Sequence, residues 1–157
     1  MTRDPRETIS SMIEGWRSGR FVTYRDLPGW SGPQWSFLLV PEWRSLDGLP
    51  LGRLVAEQWA RAADAMLDAV DTLGPSRCVI ARYEQLWRYP DQTLAEICSR
   101  LGVPWDNKVD SLPMSAHTLT PPAPGKWKQN SSVIEEAREL IDPVAARMAA
   151  TIQRLEA

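Results

Sequence analysis

The sequence predicts an α/β fold that is mostly helical, with few strands. Several segments have apolar residues at helical spacing, the strongest of them between Leu51 and Leu73. Only the short run at residues 78–83 has the continuous apolar character of a buried strand. Because a buried strand needs hydrogen-bonded neighbours at its edges, we expect partner strands for it, in a fold that is incomplete within this sequence.

The opening residues predict a capped helix beside an anion-binding position. Asp4 suits the N-cap, Pro5 the first helical position, and Glu7 completes a capping box. Arg3 lies just before this helix N-terminus, where free backbone N–H groups and the helix dipole favour an anion. Ser11 adds a hydroxyl two turns further on. A solvated Arg3 and a neutral Ser11 are the alternative interpretation. One apolar helix face follows, formed by Ile9, Met12, Ile13 and Trp16.

A loop rich in Pro and Gly covers residues 25–50, after a short extended segment at residues 21–24. Long irregular loops inside compact domains are often functional, so we interpret this loop with its aromatic side chains as an apolar lid that binds an acceptor substrate. The alternative is that these aromatics fix the loop to the core. The candidate substrate-binding residues are Trp30, Trp35, Phe37 and Trp43.

Apolar spacing and helix-end signals predict four further helices. Ser132 and Glu135 predict a second capping box, and Asp142-Pro143 predicts that the last helix starts anew there. The predicted helices cover residues 51–73, residues 90–101, residues 132–141 and residue 143 to the end.

The composition narrows the possible partners. The 157 residues have a net charge of −2, which gives no electrostatic support for binding to nucleic acid or to a membrane. Cys78 and Cys98 form neither a disulfide framework nor a zinc pattern, and we expect no metal. No signal segment or long apolar run is visible, so we expect a cytoplasmic protein.

Three stretches together resemble the C-terminal part of the sulfotransferase family. Members of this family transfer a sulfuryl group from 3′-phosphoadenosine 5′-phosphosulfate (PAPS) to a hydroxyl or amine. The resemblance implies a P-loop-type three-layer fold, with residues 1–157 as a single domain that forms the C-terminal part of a sulfotransferase domain. The stretches are Arg-Asp-Pro-Arg at residues 3–6 through Trp16, Arg-Tyr-Glu-Gln-Leu at residues 82–86 through Trp105, and residues 117–130 with Gly-Lys-Trp-Lys at residues 125–128.

The resemblance also implies roles for individual residues. Arg3 and Ser11 stand eight apart, like the family's arginine and serine that bind the 3′-phosphate, and Tyr83 matches the tyrosine near the adenine. The segment at residues 125–128 resembles the lid over the nucleotide. Thr120-Pro121-Pro122 replaces an Arg-Lys-Gly triplet that the family often has there. The implied ligand is PAPS or its product 3′-phosphoadenosine 5′-phosphate (PAP), and the implied binding residues are Arg3, Ser11, Tyr83, Lys126, Trp127 and Lys128.

Two parts of the family pattern are missing from these residues. No Lys-x-Gly-Thr-Thr loop for the 5′-phosphosulfate occurs, and no upstream catalytic base is present. His117 is the sole histidine and does not match that base. We therefore expect a chain truncated at its N-terminus, with unknown catalytic residues and little turnover by itself. A non-catalytic interaction domain derived from this fold is the alternative, and a small-molecule kinase ranks last.

The expected partner is a small-molecule acceptor. A homodimer is a further prediction, because Lys128, Ser132 and Val133 have the spacing of the family's dimer-forming segment. Ala137 occupies the position where that segment has an acidic residue.

Overall fold

The computed structural model of the chain describes residues 1–116, 118–119, 121 and 123–156. Strands β1 (Val22–Tyr24) and β2 (Trp35–Ser36) form an antiparallel pair. Short 3₁₀ helices cover Trp43–Leu46, Pro75–Arg77 and Lys126–Asn130. The prediction of a mostly helical chain with few strands is confirmed. The α-helices are α1 (Pro5–Ser18), α2 (Leu51–Leu73), α3 (Tyr83–Arg88), α4 (Pro90–Arg100), α5 (Ser131–Glu136) and α6 (Arg138–Glu156).

Helix α2 is the centre of the core. It begins and ends where the apolar spacing predicted, because Pro50 precedes it and Gly74 at φ 79° follows it. It packs against α6, α1 and α5. At the contact with α5, a Cβ on Gly52 would lie 1.9 Å from Cγ1 of Val133, so a glycine is required for this close approach. Burial of this face drives the fold. Its buried apolar residues are Leu54, Val55, Ala56, Trp59, Ala60, Ala63 and Leu67.

One polar side chain lies inside this core. Gln58 is 1% exposed, and its Oε1 accepts a hydrogen bond from Nε1 of Trp16 at 2.9 Å. Its Nε2 donates to the backbone carbonyls of Ser36 at 2.9 Å and Leu38 at 2.7 Å. A buried polar group is tolerated when its hydrogen bonds are made. Gln58 therefore joins α1, α2 and the end of β2.

The apolar run at residues 78–83 differs from the predicted buried strand. Residues 78–81 are irregular and half-buried, and α3 begins at Tyr83. The run still finds a partner, because Arg82 forms a parallel bridge with Thr2. The backbone N–H of Thr2 donates to the carbonyl of Ala81 at 2.8 Å, and that of Tyr83 donates to the carbonyl of Thr2 at 2.9 Å. A single bridge on one edge is too little pairing to define a strand.

Two helix-end predictions were wrong. Helix α5 begins at Ser131, one residue before the predicted cap, and its N-cap Asn130 makes no side-chain cap hydrogen bond. Helix α6 does not restart at Pro143 but contains it. Proline removes one backbone donor from a helix. Burial of Ile141 and Val144 on either side keeps α6 continuous through that point.

We expect Gln58→Leu to destabilise the protein by about 2 kcal/mol, because it leaves the buried Nε1–H of Trp16 without its acceptor. Chemical denaturation followed by tryptophan fluorescence measures the change. Gln92→Leu is the matched control, since Gln92 is an exposed glutamine on α4. Equal stability of the two variants would contradict the role assigned to Gln58.

Candidate functional site

A cavity of about 630 Å³ lies along α1. We call it the α1 cavity. Helix α1 forms one side, α3 another, and residues 112–115, 118 and 119 a third. Four of the predicted cofactor-binding residues line it, together with one predicted substrate-binding residue. They are Arg3, Ser11, Tyr83, Lys126 and Phe37.

Arg3 and Tyr83 meet because of the backbone pairing described above. Each directly follows one member of the parallel bridge, Thr2 and Arg82. In open α/β sheets, ligands bind outside the carboxyl ends of parallel strands. Arg3 and Tyr83 likewise lie just beyond the two residues that are paired in parallel. The Arg3 guanidinium lies over the Tyr83 ring, 4.7 Å from its centroid. Its Nη1 is 3.4 Å from Oγ of Ser11, a long hydrogen bond.

Two cationic side chains line the α1 cavity, Arg3 and Lys126. Within the described residues neither Arg3 nor Lys126 forms an ion pair. Arg147, in contrast, pairs with three aspartates of α2. Two cations without an ion-pair partner among the described residues and the Ser11 hydroxyl form a suitable environment for an anion.

Asp4 fixes the N-terminus of α1. Its Oδ1 accepts from the backbone N–H groups of Arg6 at 2.8 Å and Glu7 at 3.3 Å, so the predicted N-cap is confirmed. Burial raises the pKa of Asp4, but the hydrogen bonds from the Arg6 side chain and from those two N–H groups outweigh it. The pKa of Asp4 is therefore below its usual value of 3.8. The Arg6 guanidinium also lies 4.6 Å from the ring centroid of Trp127.

Glu7 does not close the predicted capping box. Its Oε1 accepts from the backbone N–H of Gly125 at 2.8 Å, across 118 residues of sequence. Gly125 has φ 75° and precedes the Lys126–Asn130 helix. Glu7 therefore ties the start of that helix to α1 and places Lys126 at the α1 cavity. Sequence reasoning missed this role because the local capping pattern explained Glu7 completely.

Asn130 ties the other end of the same helix to α1. It is 3% exposed, and its Nδ2 donates to Oγ of Ser10 at 3.0 Å and to Oε1 of Glu14 at 3.2 Å. Its Oδ1 accepts from Nη1 of Arg17 at 3.0 Å. The Lys126–Asn130 helix is thus attached to α1 at both ends. No sequence signal indicated Asn130, since all its partners are distant in sequence.

The remaining predicted residues lie away from the α1 cavity. Trp127 packs against the core and under Arg6, and the Lys128 side chain folds back towards Gly125. The other three predicted substrate-binding residues, Trp30, Trp35 and Trp43, form a cluster of edge-to-face rings with centroids 4.9–6.4 Å apart. Trp35 is fully buried. This position favours a packing role for the cluster over contact with a substrate.

The predicted lid and dimer segments contain further residues that the sequence analysis named. His117, Thr120 and Pro122 lie outside the described residues. Val133, in the predicted dimer segment, is half-buried against Gly52 of its own chain, and Ala137 is buried.

Among the described helices, none is long and apolar enough to cross a membrane. The described residues contain no cluster of three or more metal-ligating side chains.

Comparison with known proteins identifies the family. A profile described as "Sulfotransferase family" matches residues 1–107, which is more than half of the chain. The chain belongs to the sulfotransferase family, and the resemblance seen in the sequence is confirmed.

Two curated relatives match shorter segments. Protein-tyrosine sulfotransferase A of Caenorhabditis elegans is 35% identical over 52 residues, which are 33% of this chain and 14% of the relative. Protein-tyrosine sulfotransferase of Drosophila melanogaster is 32% identical over 57 residues, which are 36% of this chain and 11% of the relative. The matched segments thus span only about a seventh and a ninth of the lengths of these two relatives. No solved structure gives a significant match.

We expect Asp4→Ala to destabilise the protein by about 1 kcal/mol at pH 7, through loss of the N-cap. Asp4→Asn retains the cap acceptor and removes the charge. Because the folded-state pKa of Asp4 is lowered, its charge stabilises the fold above pH 3.8, and that contribution is lost as the pH falls below this value.

The stability difference between the wild type and Asp4→Asn should therefore shrink between pH 7 and pH 3. Urea denaturation across this range measures it, with Asp26→Asn, at an exposed loop position, as the control. A difference that grows as the pH falls would contradict the assignment.

Proposed function

We propose that this chain is the C-terminal part of a single sulfotransferase domain of P-loop-type α/β fold, and that the α1 cavity binds the 3′-phosphate and adenine of PAPS or PAP. The observation that supports this most is the convergence of Arg3, Ser11 and Lys126 on one cavity along α1. The parallel bridge between Thr2 and Arg82 supports the fold. Sulfotransferase family membership supports the activity.

The residues around the cavity suit this ligand. A 3′-phosphate is a dianion, and an arginine fork with a hydroxyl and a lysine can neutralise and hydrogen-bond it. Tyr83 presents a ring at the same end of the cavity, where an adenine can pack. The cavity volume of about 630 Å³ lies within the range typical of small-molecule sites.

When bound, PAPS supplies the sulfuryl group for transfer to a hydroxyl or amine. In this proposal Arg3, Ser11 and Lys126 hold the phosphate, and Tyr83 orients the base. Groups that would contact the sulfuryl group are not identified among these residues. Because both relatives are named for protein tyrosine, a tyrosyl hydroxyl is one candidate acceptor.

The test is the binding of PAP to the whole chain by isothermal titration calorimetry. We expect saturable binding that Arg3→Ala weakens at least about tenfold, since hydrogen bonds to charged groups contribute about 1.5–3 kcal/mol. Arg20→Ala is the matched control, because Arg20 is exposed and does not line the α1 cavity. Adenosine 5′-phosphate is the matched ligand, since it lacks the 3′-phosphate, and Arg3→Ala should leave its affinity unchanged.

The outcomes are distinct. Absence of PAP binding by the wild type would overturn the proposed function and favour a non-catalytic interaction domain. Saturable PAP binding that Arg3→Ala does not change would overturn the role of Arg3.

A second test concerns Glu7 as a positioning residue for Lys126. We expect Glu7→Ala to weaken PAP binding about threefold to tenfold, and Glu7→Gln to bind nearly as the wild type does, because glutamine retains an acceptor for the N–H of Gly125.

The Glu7 effect should vanish when Lys126 is already alanine, since contacting residues are coupled in a double-mutant cycle. Additive effects of Glu7→Ala and Lys126→Ala would show that Glu7 acts by another route.

A further inference from the structure

Phe37 has a backbone conformation that a bulky residue rarely adopts. Its φ is 62°, in the left-handed region, and it directly follows β2. Strained positions of this kind persist where the surrounding structure enforces them, and they concentrate at functional sites. Phe37 also lines the α1 cavity. The contacts of the Phe37 side chain explain why this unfavourable backbone conformation persists at the cavity wall.

Several contacts hold Phe37 in this conformation. Its N–H donates to the carbonyl of Phe21 at 3.0 Å, and its carbonyl accepts from Oγ1 of Thr23 at 2.7 Å. Its ring stacks on that of Phe21, with centroids 5.0 Å apart and planes 19° apart. A Cβ on Gly15 would lie 2.2 Å from Cζ of Phe37. The absence of a side chain at Gly15 thus creates the space that the Phe37 ring occupies.

The ring has a defined place relative to the phosphate-binding residues. Gly15 lies one helical turn after Ser11, about 6 Å along α1. The stacked pair of Phe21 and Phe37 therefore forms an aromatic wall next to the cationic end of the α1 cavity. Glu14 lines the cavity beside this wall, and its Oε1 accepts from Arg17 and Asn130. A carboxylate here disfavours an anionic ligand group. The neighbouring lining is apolar and includes Met12, Pro113 and Met114.

We infer that Phe37 is a specificity-determining residue, whose ring is held over Gly15 to select an uncharged aromatic acceptor over an aliphatic one. The inference rests on the proposed function, because it assigns the cationic end of the cavity to the nucleotide and the aromatic wall to the acceptor. Rings prefer to pack against rings in stacked or edge-to-face geometry, and a flat wall favours a flat ligand. The strain at Phe37 is the stability cost of that selection.

Phe37→Gly separates a binding role from a structural one. Glycine accepts a φ of 62° without strain, so this variant loses the ring while its backbone is relieved. Leu38→Gly is the matched control, since it gives the same chain freedom at the next residue, which is 64% exposed and does not line the cavity. Phe37→Leu retains apolar bulk without a flat ring.

The experiment measures the binding of 2-naphthol and of decahydro-2-naphthol to the whole chain saturated with PAP, by equilibrium dialysis. The two probes share a hydroxyl and a two-ring carbon skeleton, but only the first is aromatic. We expect the wild type and Leu38→Gly to prefer 2-naphthol by about fivefold to tenfold. We expect Phe37→Gly and Phe37→Leu to lose this preference. Because the Phe37 ring packs against the core, its loss leaves a cavity, and we expect a lower melting temperature for Phe37→Gly than for Phe37→Leu; the PAP affinity of both should stay within about twofold of the wild type.

Three results would overturn the inference. A preference for 2-naphthol that persists in Phe37→Gly would show that the ring does not select the acceptor. A large loss of PAP affinity in Phe37→Gly would assign the ring to the nucleotide. Loss of the preference in Phe37→Gly but not in Phe37→Leu would assign the effect to apolar bulk and not to a flat ring. PAP binding by the wild type, measured first, distinguishes these results from failure of the proposed function itself.

Discussion

Two backbone hydrogen bonds join the opening segment of the chain to the start of α3, and the candidate site depends on them. They pair Thr2 with the backbone around Arg82 in parallel register. Each paired residue is followed directly by a residue that lines the α1 cavity, Arg3 on one side and Tyr83 on the other. This pairing fixes the position of α3 relative to α1, because neither helix packs extensively on the other.

A polar network gives the other side of the α1 cavity its position. The Lys126–Asn130 helix is attached to α1 through Glu7 at one end and Asn130 at the other. Buried polar groups are costly when unpaired and specific when paired. The network therefore fixes one arrangement of the two helices, in which Lys126 lines the α1 cavity. The preorganisation of this wall reduces the ordering that binding would otherwise require.

The tryptophan-rich loop at residues 25–50 packs with α2, and together they support the wall of the α1 cavity that contains Phe37. Gln58 ties the indole of Trp16 to the end of β2, and the edge-to-face cluster around Trp35 fills the space beneath. Phe37 comes directly after the buried pair Trp35 and Ser36. The core thus sets the point from which Phe37 turns back over Gly15. The buried apolar side chains lie mainly in this part of the structure, whereas the neighbouring cavity wall has a strained backbone at Phe37.

The sequence by itself determined the local features: the N-cap at Asp4, the limits of α2 between Pro50 and Gly74, and the family, from residues 3–16 and 82–105. These depend on neighbours within about one helical turn or on motifs read in order. Only the tertiary structure decided that Glu7 binds Gly125, that Asn130 is buried among several hydrogen-bond partners, and that Phe37 lines the α1 cavity while Trp30, Trp35 and Trp43 do not. Local patterns could not reveal them, because their partners lie up to 120 residues away and are brought together only when α1, α2 and the Lys126–Asn130 helix pack.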